Sequence, residues 1–431
     1  MRRLSNRTAG PHRVGTLLML ILLGLLSGCA GMQTPGAPPS PTPTPMVAPA
    51  VLSPPPCTTV VAPATPVADT HVGFESLPAA PFGVAVSPVG AWSFVAEAAE
   101  IAVMSDRSSL PTPVRMVTLP DGIAAEGLSI TSDGRYLLAA AGSGAVVLAV
   151  GAAETSGAES VLGVLSTHLP RVVDASAIEA IGSPDDGYVF VSLEYADAIA
   201  VYDLHTALVT GFHETGFVGL IPVGEGVVGM AISPNGQWLY ATSERTAGML
   251  GVGTGTLSVI DLKRAETAPS LSVIATVAAG CSPVRVVVSS DGSVVWVSAR
   301  GSNALLGFAA NRLLADPTRA LIADVRVGEA PVGLILLDAD GIIVVADSNR
   351  FHASGAIAEL SVISTASALA GGPTRVGAIR ADAFPRELAV EPDGDTLLAT
   401  NYASDQLEVV TFANLPRAST TGASPAVRAR V

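Results

Sequence analysis

The stretch VVGMAISPNGQWLYATSE (227–244) consists of two apolar segments joined by a short polar turn. The turn contains an Asn-Gly pair, and both residues accept the positive φ angles that a tight hairpin requires. A third apolar segment, TLSVIDL (256–262), follows after a loop. We therefore predict a hairpin with a third strand beside it, which is the beginning of an antiparallel sheet.

The same signature of strand, Gly-ended turn and strand recurs seven times along the chain. Its turn glycines are separated by about 51 residues on average, a period typical of propeller blades. A fourth segment ending in Val-Gly precedes several copies, as in LIPVG (220–224) and VRVG (325–328). Seven units of four strands predict an all-β fold, a seven-bladed β-propeller of four-stranded antiparallel blades. The copies are PFGVAVSPVG (81–90), AEGLSITSDG (125–134), AIEAIGSPDDG (177–187), VVGMAISPNG (227–236), PVRVVVSSDG (283–292), PVGLILLDADG (331–341) and PRELAVEPDG (385–394).

The two ends of the repeat array indicate how the ring closes. The last copy supplies only three strands, through Phe412, whereas THVGFESL (70–77) precedes the first copy. We expect this N-terminal segment to complete the seventh blade as its outer strand. The alternative is that the tail AVRARV (426–431) occupies that place. The propeller is accordingly assigned to residues 67–415 and a flexible C-terminal tail to residues 416–431.

Residues 1–28 are typical of a bacterial lipoprotein signal peptide. Basic residues precede the apolar run Leu17–Leu26, which is shorter than the roughly 20 residues of a membrane-spanning helix. The run ends in Leu-Ser-Gly-Cys, which resembles a lipobox and predicts lipidation of Cys29; the alternative is an ordinary signal peptide with an incidental cysteine. Ala30 then resembles a signal for sorting to the outer membrane. We therefore predict an exported protein, lipid-anchored to a bacterial membrane, at the periplasmic face of the outer membrane if the host is Gram-negative.

Residues 29–66 contain the lipidated cysteine and a stretch rich in Pro, Thr and Ala. Such a composition cannot bury a core and favours an extended, disordered tether. Cys57 lies in this tether and Cys281 in the folded region. The two cysteines could pair in an oxidising compartment, and the sequence leaves that question open.

The composition argues against several classes of function. The chain of 431 residues has a formal net charge of −14, from 23 basic and 37 acidic residues, whereas a nucleic-acid-binding protein needs a basic surface. Six His and three Cys occur without CxxC or HExxH spacing, so we predict no metal site and no cofactor. Neither GxSxG nor SxxK occurs, which leaves no case for a serine nucleophile.

The repeated signature resembles that of the YVTN-repeat (YncE-like) propeller family. Blade four and blade seven, the latter PRELAVEPDGDTLLATNYASDQLEVV (385–410), match its strand and turn pattern best, and the resemblance covers roughly residues 70–412. The chain also resembles the related lactonase-type propellers. Blades of that type commonly resemble Pro-Arg-His where this chain has Pro385-Arg386-Glu387, so a glutamate stands at the histidine position. The resemblance implies the fold, and it says little about function because its residues form turns and core.

Charged residues near the central channel are the candidate site. In a propeller blade, the start of the first strand and the end of the second strand lie on one face. Four copies of the signature have Gly at the third position, and the other three have Glu179, Arg285 and Glu387. The second position adds Glu126 and Arg386. We expect these side chains to meet at the mouth of the channel and to form a site for a polar ligand.

The residue types indicate what such a site would do. The two arginines would bind an anionic or carbonyl group, and the three glutamates would coordinate a cation or act as acid–base groups. The alternative is that these charges solvate the rim and pair with one another. The ends of the second strands and the loops that follow, about 243–256 and 347–358 among them, add further polar residues. These are Glu97, Glu194, Glu244, Arg245, Arg300, Asp347, Asn349, Arg350, Asn401 and Asp405.

Two functions are consistent with these patterns. The first is a membrane-anchored, extracytoplasmic lipoprotein that acts as a non-catalytic binding or scaffold module through its channel-mouth face. Its partner would be an envelope protein or a small polar ligand. The alternative is a lactonase-like propeller hydrolase acting on a sugar lactone or similar ester. The sequence assigns no catalytic residue.

Overall fold

The computed structural model describes residues 51–413, with gaps at 59, 62–64, 89, 108–109, 158, 170–174, 246–252, 338, 353–356 and 373. The described chain forms seven antiparallel sheets of four strands each. Neighbouring sheets are in contact through their first strands, and the first strand of the last blade contacts that of the first blade, so the ring is closed. The predicted seven-bladed β-propeller is therefore confirmed. The predicted signal peptide (1–28), the predicted lipidation site Cys29 and the predicted C-terminal tail (416–431) lie outside the described residues.

The strands follow the repeat in chain order, beginning with β1 (Thr70–Ser76). Blades 1 to 3 contain β2 (Pro81–Val86), β3 (Trp92–Glu97), β4 (Glu100–Ser105), β5 (Thr112–Thr118), β6 (Ala125–Ile130), β7 (Tyr136–Ala141), β8 (Gly144–Ala149), β9 (Val161–Ser166), β10 (Ala177–Gly182), β11 (Tyr188–Leu193), β12 (Ala198–Asp203) and β13 (Phe217–Pro222). Blades 4 to 7 contain β14 (Glu225–Ile232), β15 (Trp238–Arg245), β16 (Thr254–Asp261), β17 (Val273–Cys281), β18 (Pro283–Val288), β19 (Val294–Ala299), β20 (Ala304–Ala309), β21 (Leu321–Arg326), β22 (Pro331–Leu337), β23 (Ile342–Asp347), β24 (Glu359–Ser364), β25 (Arg375–Arg380), β26 (Pro385–Val390), β27 (Thr396–Asn401) and β28 (Gln406–Phe412).

The helices among the described residues are short. The α-helices lie between the third and fourth strands of blades 2 to 6, and they are α1 (Val150–Thr155), α2 (Leu204–Val209), α3 (Leu262–Ala265), α4 (Ala310–Ala315) and α5 (Thr365–Ala370). Single 3₁₀ turns occur at Pro120–Gly122, Glu194–Ala196, Pro269–Leu271, Arg300–Ser302 and Pro317–Arg319. Within the described part of the chain, no helix is both long enough and apolar enough to cross a membrane.

The seventh blade is completed by the N-terminal strand. β1 pairs antiparallel with β28, from Thr70 opposite Phe412 to Ser76 opposite Gln406. The prediction that the segment at residues 70–77 closes the ring is confirmed. This arrangement joins the first and the last strand of the described chain in one sheet.

The core lies between the blades. Each sheet is covered on both faces by its neighbours, so the second and third strands read as continuous apolar runs and are buried almost throughout. Trp296 on β19 is one of the largest fully buried side chains. Gly307 on the neighbouring strand leaves room for its ring, since a Cβ there would lie 2.8 Å from the indole. Trp296 therefore packs in the core between blades.

The described part of the predicted tether is attached to the propeller. Cys57 forms a disulfide with Cys281, and their Cα atoms are 5.3 Å apart. Further along the chain, Val67 donates a backbone hydrogen bond to Ala378 of β25, and Ala378 donates one to Thr65. The described residues of this segment are therefore in contact with the propeller, and the pairing of the two cysteines that the sequence left open is present. Backbone groups of the proline-rich segment find partners on the propeller edge, which composition alone does not indicate.

Candidate ligand-binding site at the channel mouth

The backbone directs two residues of every blade toward the channel. Each first strand begins with a register shift against the second strand, as between Pro81 and Val84 and between Pro385 and Leu388. A bulge of this kind re-aims the side chains that it contains. The second and third positions of the signature lie within it. The side chains at the channel therefore come from the second and third positions of the signature, where the sequence predicts the candidate residues.

The glycines at the third position reflect crowding between first strands. A Cβ at Gly83 would lie 2.5 Å from the carbonyl oxygen of Glu126 in the next blade. A Cβ at Gly127 would lie 2.5 Å from the carbonyl oxygen of Ile178. The charged residues at this position occur in blades 3, 5 and 7. Each of these blades carries a hydroxyl side chain that ties its first strand to the next blade.

This hydroxyl lies next to the end of the second strand. In blade 5, the backbone N–H of Arg285 donates to Ser298 Oγ over 3.0 Å. Ser298 Oγ in turn donates to the carbonyl oxygen of Val332 in blade 6, over 2.6 Å. The same two hydrogen bonds are made by Ser192, Thr242 and Thr400 in blades 3, 4 and 7.

Arg285 is the centre of a buried ionic cluster in the channel. Only 5% of the residue is exposed, and its Nε donates to Glu387 Oε1 over 2.8 Å, with a second, shorter bond from Nη2. Burial alone would lower its pKa, but the charges of Glu387 and Glu179 outweigh burial, and the pKa lies above its ordinary value. Burial raises the pKa of Glu179 to about 7, against the opposing charge of Arg285. The cluster links blades 3, 5 and 7.

Arg386 is held differently, by aromatic rings. Its guanidinium lies 3.4 Å from the ring centroid of Phe82, 5.3 Å from that of Tyr402 and 5.5 Å from that of Phe384. Its Nε is buried and has no hydrogen-bond partner within the described part of the chain. Burial, followed by the charge of Arg285, lowers its pKa to about 10, so the group stays cationic at neutral pH.

Glu126 is the candidate acid that blade 2 contributes. Burial raises its pKa to about 7, and the charges of Arg386 and Arg285 oppose that effect. Its Oε2 is buried without a hydrogen-bond partner among the described residues. A carboxyl group with such a pKa is present in both protonation states near neutral pH.

Arg285, Arg386 and Phe384 line a cavity of about 450 Å³ at the mouth of the channel. Its floor is apolar, because the second positions of four successive blades are Ile178, Val228, Val284 and Val332. Tyr195, which is 73% exposed, is one of three aromatic residues in its wall. The charged residues of the lining are Arg245, Arg285, Arg300, Arg350, Arg386, Glu194 and Glu244.

A second ion pair lies in the wall of this cavity. Arg300 Nη2 is 2.6 Å from Glu244 Oε1, and both side chains are largely buried. Burial lowers the pKa of Arg300, and the charge of Glu244 opposes that effect. Arg350 lies over the rings of Phe351 and Phe384, 5.9 and 5.4 Å from their centroids. Three of the five arginines in the lining are thus paired with a carboxylate: Arg245 with Glu225, Arg285 with Glu387 and Arg300 with Glu244.

A family model described as "Lactonase, 7-bladed beta-propeller" matches residues 120–350, which is more than half of the chain. The chain belongs to this lactonase family. No curated protein sequence matches it. Among solved structures, Kuenenia stuttgartiensis hydrazine synthase is 16% identical with a TM-score of 0.60, over 79% of this chain and 97% of the other. A chain of a structure described as the crystal structure of the mitotic checkpoint complex is 14% identical with a TM-score of 0.60, over 90% and 99%. At these identities the likeness shows the fold alone.

In this lactonase-family propeller, all five candidate residues from the sequence are brought into one electrostatic cluster. Arg285 and Arg386 line the cavity, Glu387 is paired with Arg285, and the other two glutamates lie within range of the arginine charges. The expectation that charges at the rim pair with one another holds for Arg285 with Glu387. No such pair is recorded for Arg386 within the described ranges.

Some functional residues could not be recognised from the sequence. Phe82, Phe384 and Tyr402 hold Arg386, yet nothing in their local sequence separates them from core residues. The only available signal was that Phe82 occupies the second, channel-facing position of its copy. Of the two loops expected to wall the site, Arg245 and Phe351 line the cavity, whereas 246–252 and 353–356 lie outside the described residues.

Cation binding was one of the two roles expected for the glutamates. Across the residues that the structure describes, no group of three or more His, Cys, Asp or Glu side chains is placed to hold a metal ion. The charged groups that line the cavity are five guanidinium groups and two carboxyl groups.

Proposed function

We propose that the channel mouth binds a small organic anion that carries a carboxylate. The observation that supports this most directly is Arg386, whose guanidinium stacks on aromatic rings, has a buried Nε without a hydrogen-bond partner and makes no ion pair among the described residues. A buried donor without a partner is costly, so an anion in the cavity that accepts a hydrogen bond from it would stabilise the site. The planar guanidinium suits two parallel hydrogen bonds to a carboxylate.

The remainder of the lining supports the same class of ligand. Of the five arginines that line the cavity, Arg350 and Arg386 make no ion pair among the described residues, so they can attract a negatively charged ligand. A volume of about 450 Å³ lies in the range of small-molecule sites. The apolar floor and the aromatic wall would contact the uncharged part of the ligand.

The family supports a second candidate function, hydrolysis of a sugar lactone or a similar ester. Opening of a lactone ring by water yields a hydroxycarboxylic acid, the class of anion that the arginines would bind. Glu126 has a pKa of about 7, as a general base at neutral pH requires. It would take a proton from the attacking water and return it to the ring oxygen as the ring C–O bond breaks, while Arg386 would stabilise the negative charge that develops on the carbonyl oxygen.

The location of the protein belongs to the same proposal. The Leu-Ser-Gly-Cys sequence that ends at Cys29 supports a lipid anchor on an exported bacterial protein. The repeated signature, which resembles that of YVTN-repeat (YncE-like) propellers, is consistent with an envelope protein. The binding module would then act outside the cytoplasm, and an envelope protein could be a further partner of the channel-mouth face.

Calorimetric titration of D-gluconate and citrate, with sorbitol as the uncharged comparison, tests the binding function. We expect the two anions to bind and sorbitol not to bind. Loss of a charged hydrogen bond amounts to about 1.5–3 kcal/mol, so Arg386→Gln should weaken binding by about ten-fold or more. Arg264→Gln, at an exposed arginine of α3, is the matched control and should leave binding unchanged. Equal affinities of the Arg386→Gln variant and the wild type would refute the proposal.

Turnover of D-glucono-1,5-lactone, measured as acid release in a weakly buffered solution, separates the two candidates. Hydrolysis above the spontaneous rate that is lost in Glu126→Gln, with gluconate binding retained, would support the enzyme. Binding of gluconate without any turnover by the wild type would leave the binding module as the function.

A further inference from the structure

The N-terminal segment contacts the wall of the cavity from outside. The strap, defined as residues 51–58 and 60, is joined covalently to the end of β17 by the disulfide between Cys57 and Cys281. Cys281 is followed directly by Ser282, and Ser282 and Arg285 both line the cavity. The covalent link therefore lies two residues before β18, the strand that carries the central arginine of the channel.

The hydrogen bonds of the strap are made with the turn that follows Arg300. Thr58 N–H donates to the carbonyl oxygen of Gly301 over 3.0 Å. Ser302 Oγ donates to the carbonyl oxygen of Pro55 over 3.1 Å. In the 3₁₀ turn Arg300–Ser302, Gly301 and Ser302 are thus hydrogen-bonded to the strap, and Arg300 directly precedes them.

Asn303 completes this set of contacts. Its Nδ2 donates to the carbonyl oxygens of Thr58 and Val60, over 3.2 and 3.3 Å. Its Oδ1 accepts the backbone N–H of Ala330, in the segment that leads into blade 6. Asn303 is almost fully buried and has a positive φ of 50°. Removal of the strap would deprive this buried amide of both its acceptors, which is costly.

We infer that the disulfide-linked strap positions Arg300 in the cavity wall, so that the affinity of the site for its anion depends on the oxidised state of Cys57 and Cys281. The inference rests on the proposed anion site and states how binding at that site would be regulated. The strap has no regular secondary structure in its described residues, so few backbone hydrogen bonds would hold it once the covalent link is gone. The turn after Arg300 would then lose its outer support.

The chemistry of the switch is a two-electron exchange. A dithiol reductant transfers two electrons and two protons to the disulfide, which yields the thiols of Cys57 and Cys281, and the reductant becomes a disulfide itself. An oxidising compartment restores the link. The protein exported as we propose would therefore have an ordered site outside the cytoplasm.

Hydrogen–deuterium exchange of the full chain, with and without dithiothreitol, tests the strap without any ligand. We expect reduction to increase exchange of the backbone amides at 301–303 by about ten-fold or more, with no comparable change at the amides of β12, in a remote blade. The Cys57→Ser variant should show the fast exchange already, and dithiothreitol should have no further effect on it. Unchanged exchange at 301–303 in the wild type would overturn the inference.

Titration of D-gluconate into the oxidised and the reduced protein tests the consequence for the site. We expect reduction to weaken binding by about ten-fold, the equivalent of one lost charged contact. Equal affinities in both states, with faster exchange at 301–303, would also overturn the inference. If neither state binds gluconate or citrate, the proposed function fails, and the exchange experiment alone decides whether the strap orders the turn that carries Arg300.

Discussion

The buried carboxyl of Glu408 makes the stability of the propeller depend on pH. Glu408 is 0% exposed. Its Oε2 accepts a hydrogen bond from Asn401 Nδ2 over 2.8 Å, and its Oε1 has no hydrogen-bond partner among the described residues. Burial raises its pKa from 4.5 to about 7, although the hydrogen bonds from Asn401 and the backbone of Asp382 act in the opposite direction. The protonated form is therefore favoured by the folded state.

The sign and size of the effect follow from the two pKa values. A carboxyl whose pKa is raised in the folded state contributes stability that is complete below pH 4.5 and is lost as the pH rises through about 7. At about 1.4 kcal/mol for each pH unit, the difference between 4.5 and about 7 amounts to about 3 kcal/mol. Glu408→Gln removes this loss, because the amide has nearly the same shape and no charge to bury.

Urea unfolding followed by tryptophan fluorescence at pH 5 and pH 8 measures this difference. We expect the wild type to lose more free energy of unfolding between these pH values than Glu408→Gln does, by about 3 kcal/mol. Glu214→Gln, at an exposed glutamate, should follow the wild type. If the free energy of unfolding of Glu408→Gln changed with pH as that of the wild type does, this would refute the argument that burial of the ionised carboxyl destabilises the fold.

Two further predictions concern the contact between blades 4 and 5. Gly229→Ala should lower the free energy of unfolding by about 1–3 kcal/mol, because the new Cβ would overlap the carbonyl oxygen of Val284. The control is Gly151→Ala, whose new Cβ would have no atom within 4 Å. This variant should be neutral or stabilising in urea unfolding. Thr242→Val should cost about 1–3 kcal/mol in the same assay, because Thr242 Oγ1 both donates to the Val284 oxygen and accepts the Gly229 N–H. A Thr242→Val variant as stable as the wild type would show that this hydroxyl does not hold the two blades together.

The fold could be predicted from the sequence because its evidence is local and repeated. Asp-Gly and Asn-Gly turns act within four residues, and strands buried on both faces leave continuous apolar runs such as those around Trp296. Closure of the ring by β1 could also be predicted, because the last copy of the repeat has only three strands and needs a fourth from elsewhere in the chain. Each of these features can be read without knowing which parts of the chain meet in space.

The site was only partly accessible to the same reasoning. Charges at Glu179, Arg285 and Arg386 were noticeable because most other copies carry Gly or an apolar residue there. The aromatic residues around Arg386 were missed, since a phenylalanine that faces the channel is indistinguishable in sequence from one between blades. The pairing of Cys57 with Cys281 spans 224 residues, and only the folded geometry brings their Cα atoms to 5.3 Å.

The pairing of β1 with β28 has a consequence for the order in which the protein is made. The strand at residues 70–76 emerges from the ribosome before the other described strands, and its partner at residues 406–412 emerges after all of them. Until then, the outer edge of the seventh blade does not exist, and β1 has no sheet to join. A chain whose synthesis stops early therefore keeps an open seam with unpaired strand edges, which are prone to aggregation and proteolysis. Completion of the ring thus reports that translation reached at least residue 412.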